Sequence, residues 1–248
     1  MSAANENKIV LHVAEVPAGA GLAWIKQAFG LLGAQPFGWI SLTAAWMMFN
    51  IVGFFVPLVG APTIVLLQPA FFAGFVLAAS AQGAGQTIGT QYLFAAFRVN
   101  GRSLITLGCI SLLAEIMVMV IIGLLGFHLT LPKEAGDTLD IRALARELEG
   151  QKGLILLAFA LSILLKGVLW FSAAVLAFNP MPATHAIRWS CYALIANIIP
   201  MLIFGALLTV MLLAAALPLY LGMVVALPVY AIAHYTSYRD LFRRPPEI

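Results

Sequence analysis

Two side chains in this sequence have the type and placement to do chemistry inside a membrane: Glu115 and Lys166. Each stands near the middle of a long apolar run, where an ionisable group costs about 2.5–3.5 kcal/mol. Such residues persist where they pair, relay protons or ions, or hold a polar headgroup. The two runs are consecutive, so they form an antiparallel hairpin that brings both charges to one depth. A salt bridge fixing helix register is one use of that pairing, and a relay or a lipid-headgroup anchor is the other. Asn50 and Gln68 sit in the outer halves of the two preceding apolar runs, where interhelical hydrogen bonding accounts for them. Lys166-Gly167 holds a place in its hairpin comparable to Gln68-Pro69 in the first, so these polar groups are expected to face a shared centre. Glu115, Lys166, Gln68 and Asn50 therefore form the candidate polar site.

Catalysis has little else to draw on. Only Glu115 has the position for acid or base work, and no nucleophile or metal ligand accompanies it. His12, His128, His185 and His234 are far apart with no i, i+4 pair, so neither a metal nor another cofactor is expected. His234, with Tyr235, Tyr238 and Arg239, reads as an interfacial anchor. Cys109 and Cys191 have no metal or disulfide spacing and read as packing residues. No serine elbow, P-loop or dinucleotide fingerprint occurs, and Gly83-x-Gly85 reads as a loop.

The elements that hold these residues follow from composition. Of 248 residues 62% are hydrophobic and 9% charged, and mean hydropathy is +1.01. A soluble chain carries roughly 25% charged residues to wet its surface, so hydrocarbon is the solvent this sequence suits. The net charge of +3 is scattered, without the basic stripe that nucleic acid requires. Windows of about 20 apolar residues mark spans near Phe37–Val56, Thr63–Gln82, Leu104–Gly126 and Gly153–Ala177. The stretch Ile198–Tyr235 is long enough for two more, divided at Pro218. The expected fold is an all-α bundle of about six spans forming one membrane domain over 1–248. Met1–Val16 carries Glu6, Lys8, His12 and Glu15 and lacks an apolar core, so no cleaved signal peptide is expected.

Basic residues set the expected orientation. Lys26, Arg98, Arg102, Arg188, Arg239, Arg243 and Arg244 lie on the side of the termini, which is therefore read as cytoplasmic in a bacterial inner membrane. The opposing 129–151 loop is mixed in charge. Within it Ile141, Leu144, Ala145 and Leu148 make an apolar helical stripe that Asp140 can cap and Gly150 can end. A helix on the outer surface is expected there, as a solvated connector more than a partner-binding face.

Three units emerge at about 18–83, 88–178 and 183–238. Gln35, Asn100 and Asn197 each precede a span, with Leu32, Phe97 and Leu194 three residues before and Lys26, Gln91 and Arg188 nine before. Each unit is an interfacial helix plus a hairpin, and the copies are parallel. Pro57 and Pro218 break the outer hairpins, and Pro69 and Pro228 follow in the returning spans. Trp24, Lys26, Arg98, Arg102, Arg188, Tyr238 and Arg239 are the expected interfacial anchors. Ala70, Gly74 and Ala78 make a small-residue ladder suited to a close internal helix contact.

Trp24-Ile-Lys-Gln-Ala-Phe29 before Gln35-Pro36, the Pro57-Leu-Val-Gly60 turn, Trp170-Phe171 and His234-Tyr-Thr-Ser-Tyr-Arg-Asp-Leu-Phe242 together resemble an uncharacterised family of six-span proteobacterial inner-membrane proteins. That family is related more distantly to the membrane domain attached to some glycerophosphodiester phosphodiesterases. The resemblance implies a fold and a location, and no catalytic residue. Two functions compete. A non-enzymatic organising or lipid-handling protein, with membrane lipids and another membrane protein or a second copy as partners, predicts a tightly packed bundle around Glu115 and Lys166. A small transporter or channel predicts a polar cavity reaching them.

Overall fold

A computed structural model describes residues 11–128, 141–217 and 221–242, all helix or connection with no strand among them. In order these are α1 (Ala20–Ala34), α2 (Pro36–Phe54), α3 (Gly60–Gly83), a 3-10 turn (Thr90–Phe94), α4 (Ala95–Leu124), α5 (Ile141–Gly150), α6 (Lys152–Leu169), α7 (Ser172–Phe178), α8 (Ala183–Ala196), α9 (Ile198–Ala216) and α10 (Met223–Leu241). Five stretches are long and apolar enough to cross a membrane: Pro36–Phe54, Gly60–Gly83, Thr90–Leu124, Lys152–Phe178 and Ile198–Ala216. They match the first five expected spans. The expected break at Pro218 lies outside the described residues.

The sixth expected span, α10, falls short of that apolar standard because His234 to Asp240 are polar or aromatic-polar. The reason is its surroundings. Every residue from Ala231 to Tyr238 is buried, so this stretch meets protein on all sides. On α6 the opposite holds: no residue is buried, and Phe159, Ile163 and Leu164 face outward. An apolar belt of that extent is suited to hydrocarbon and not to water.

The three residues Gln35, Asn100 and Asn197 interrupt the helix with similar backbones: φ −141°, ψ 62°; φ −151°, ψ 47°; and φ −125°, ψ 35°. Each amide side chain then clasps backbone at the same end of the bundle. Gln35 donates to the Gln86 carbonyl (2.9 Å) and accepts from the Ile88 N–H (3.0 Å). Asn100 reaches the carbonyls of Leu176, Asn179 and Met181 at 3.4–3.5 Å. Asn197 accepts from the Val16 N–H (2.9 Å) and donates to the Ala14 carbonyl (3.1 Å). An amide suits this position because it can both donate to and accept from the backbone of a neighbouring segment.

Helix α3 runs through the core, with Pro69 to Phe71 and Ala73 to Val76 all buried. Ala70, Gly74 and Ala78 are spent inside the chain: a Cβ on Gly74 would sit 2.5 Å from the Tyr92 carbonyl oxygen. Where α4 crosses α3, a methyl on Gly108 would collide with the Leu66 carbonyl. Gly108→Ala is therefore expected to lower stability by about 1–3 kcal/mol through overpacking. Thermal unfolding in detergent checks this, with Gly101→Ala, where the nearest atom is 4.0 Å away, as the neutral control.

At the far end α5 ends at Gly150 as expected, though Ile141 on its apolar stripe is exposed. The capping residue Asp140 lies outside the described residues. Gln151 closes the hairpin, accepting from the His128 N–H (2.9 Å) and donating to its carbonyl (2.7 Å).

Candidate intramembrane site

Lys166 on α6 and Glu115 on α4 meet through a 2.7 Å ion pair, Nζ to Oε1. Their side chains remain 66% and 33% exposed, so the pair lies at the outer wall of the bundle. Residue 115 is mid-way along the straight part of α4 beyond Asn100, and residue 166 is mid-way along Lys152–Phe178. Two opposite charges there stabilise one another where either alone is costly.

Behind the pair lies a cavity of about 500 Å³. Helix α2 contributes Thr43 and Trp46; α3 contributes Gln68, Pro69 and Phe72; α10 contributes Tyr230 and His234. Pro69 has no N–H, so the carbonyl of Val65, also on the wall, loses its helical partner. Trp170 enters because the fourth span breaks at residues 170–171. There the Phe171 N–H donates to Ser190 Oγ of α8 (2.9 Å), and Trp170 closes a tight turn onto the Gly167 carbonyl.

The wall is chiefly apolar and aromatic, and several of its residues keep a polar atom buried behind it without a partner among the described residues. These atoms are Thr43 Oγ1, Trp46 Nε1, Trp170 Nε1 and both ring nitrogens of His234. A buried donor or acceptor left so costs about 1–3 kcal/mol. His234, 3% exposed, is packed among Trp170, Phe171 and Phe72 at ring-centroid distances of 5.1, 5.7 and 5.9 Å.

The four expected polar-site residues separate. Glu115, Lys166 and Gln68 share the cavity wall. Gln68 makes no side-chain hydrogen bond among the described residues, and Asn50 donates to the Trp46 carbonyl of its own helix (2.7 Å). Neither amide bonds between helices: asparagine is short enough to reach back one turn, and Gln68 faces the cavity. A cavity does reach the ion pair, against the tight packing expected of an organising or lipid-handling protein. Its lining is mostly apolar, against the polar route expected of a transporter.

Among the expected anchors, Lys26, Arg98, Arg102 and Arg188 are exposed. Arg239 donates to Gln27 Oε1 (2.7 Å) and lies over the Tyr235 ring. Trp24 does not face outward: it is wholly buried, donates to Asp240 Oδ2 (2.9 Å) and packs edge-on against Phe204. Tyr238 is likewise buried, stacked between Phe178 and Phe242. His234 belongs to the cavity and not to the anchor group. Sequence reasoning missed it, together with Thr43, Trp46 and Trp170. Their visible signal was a histidine and two tryptophans within long apolar runs, and the nearby Arg239 drew His234 to the surface reading. Cys109 is exposed on the apolar exterior and does not pack internally. No cluster of metal-binding side chains occurs among the described residues.

Outward apolar helices, a central polar-aromatic helix and a paired charge at mid-height define a polytopic helical membrane protein. Over 186 residues (73% of this chain and 68% of the other) the sequence is 26% identical to a protein of Burkholderia thailandensis named a probable inner membrane protein. No family model matches the chain. No solved structure matches it either.

Proposed function

We propose that this chain is a non-enzymatic inner-membrane protein that handles lipid or organises other membrane components. The observation that carries this reading is a mostly apolar cavity whose one ion pair is closed on itself at 2.7 Å. Such a wall suits the body of an amphiphile better than a hydrated ion. Inner-membrane location draws support from the Burkholderia relative's printed name. Termini in the cytoplasm follow from exposed Lys26, Arg98, Arg102, Arg188 and Arg239 at one end. The matching breaks at Gln35, Asn100 and Asn197 support three related units, 18–83, 88–178 and 183–238. Kinship with the membrane domain attached to some phosphodiesterases belongs to the same proposal. Lipids are the proposed partners, with a second membrane protein or another copy beside them.

The second reading, a small transporter or channel, draws on the cavity reaching Glu115 and Lys166. Reconstitution into liposomes separates the two. Lipid handling predicts proton and potassium flux no greater than in protein-free vesicles, with phospholipid retained by the purified protein in native mass spectrometry. Flux abolished by Glu115→Gln would establish transport instead.

A further inference from the structure

A second cleft, of about 520 Å³, opens at the end of the bundle where Asn197 clasps the start of the chain. It shares no lining residue with the cavity behind Glu115 and Lys166. One wall is a single face of α8, where His185, Arg188, Trp189 and Tyr192 recur at i, i+3, i+4 and i+7. The other is the segment Leu11 to Val13. Asn197 bonds to the Ala14 carbonyl and the Val16 N–H just beyond it, which holds His12 at the cleft.

The polar side chains of this cleft are open to a ligand. His12, His185, Arg188 and Tyr192 are all exposed. The side chains of Arg188 and both histidines make no hydrogen bond or ion pair among the described residues. Lys166 and Arg239, by contrast, have carboxylates at 2.7 and 4.0 Å. No acidic residue lines the cleft, and Glu15, on the same segment as His12, is off the lining. Arg188 is therefore a cation without a counter-ion, sharing its cleft with two imidazoles that each offer at least one N–H.

From this arrangement we infer that the cleft binds the phosphate of an anionic phospholipid, with Arg188 as its principal partner. A guanidinium fork matches phosphate oxygens, and His12 and His185 add donors around it. A lipid is the source because of the depth. Helix α8 leads through Asn197 into the apolar span that begins at Ile198, so Tyr192 lies about two turns from hydrocarbon. Trp189 and Tyr192, edge to face at 6.2 Å, have the amphipathic rings that settle at headgroup level. Leu11 and Val13 give the upper acyl chain an apolar surface. A net negative headgroup is required, since a zwitterionic one brings its own ammonium to an already cationic cleft. The site goes beyond the lipid-handling reading and does not depend on it, because a transporter would hold such a lipid equally well.

The test is native mass spectrometry of the delipidated full-length protein in detergent, titrated with dioleoylphosphatidylglycerol or dioleoylphosphatidylcholine. The first phosphatidylglycerol is expected to bind about five- to tenfold more tightly than phosphatidylcholine, and Arg188→Gln should remove that preference. Arg98→Gln, an exposed arginine off the cleft, should keep it. His12→Ala combined with His185→Ala should weaken the first lipid about threefold through lost hydrogen bonds. Arg188 is exposed and unbonded, so thermal unfolding should be unchanged by its replacement. Equal losses from Arg98→Gln and Arg188→Gln would mean diffuse attraction and overturn the site. Affinity unchanged in Arg188→Gln, or in the double histidine variant, overturns it too. Inorganic phosphate distinguishes the sources: if it displaces the bound lipid at equal concentration, the cleft is a free-phosphate site and the lipid assignment falls. Lipid retained against phosphate supports the assignment.

Discussion

Glu115→Leu alone is expected to destabilise the protein by about 2.5–3.5 kcal/mol, the cost of a lysine left unpaired at mid-membrane depth. Adding Lys166→Met should restore most of that loss. The two charges meet at 2.7 Å, so each is the other's compensation, and removing both leaves apolar side chains in an apolar setting. Reversible unfolding in bicelles, run as a double-mutant cycle, measures the recovery. A double variant no more stable than Glu115→Leu would show that the loss does not come from an orphaned lysine. The same variants bear on function. If the pair is a strut, the double variant retains whatever phenotype the wild type supports; if it is a relay, that phenotype disappears from a folded protein.

The second large effect is expected at Asn197. This side chain is 2% exposed and bonds to Val16, Ala14 and Ala193. Asn197→Leu removes three bonds, one buried and two part-buried, at about 1 kcal/mol each, so a loss on the order of 3 kcal/mol is expected. The segment it holds also donates from Ala14 N to the Leu241 carbonyl (2.8 Å), tying the start of the chain to the end of α10. Limited proteolysis should accordingly cut near residues 14–16 in the variant and not in the wild type. Gln35→Leu removes two bonds from a more accessible place, so about 1 kcal/mol is expected there. Equal losses at the two positions would mean that burial does not set the strength of these clasps.

Much of this architecture was legible beforehand. The expected first span, Phe37–Val56, is α2 within two residues, and the expected second is α3 within three. Gln35, Asn100 and Asn197 were singled out by their spacing from flanking apolar positions, and each interrupts its helix. The meeting of Glu115 and Lys166 followed from antiparallel neighbours of similar length. The site was only partly legible. Trp24 and Tyr238 have the amphipathic form of interfacial anchors, yet α9 and α7 cover them. Asn50 and Gln68 looked alike as polar residues within spans, and differ because one reaches its own backbone while the other borders a cavity.

By itself the sequence determined the solvent, the spans, the helix breaks and the charge pair. These depend on transfer energies, local backbone preference and hairpin geometry, each contained in a few dozen consecutive residues. Only the tertiary structure decided which helix lies at the centre. Helix α10 carries the polar run that would suit an interface, and it is buried because α1, α3 and α9 surround it. That same packing brings Thr43 and Trp46, Trp170, and His234 from three separate parts of the chain onto one cavity. No local pattern encodes such a meeting, because burial is a property of neighbours that lie far away in sequence.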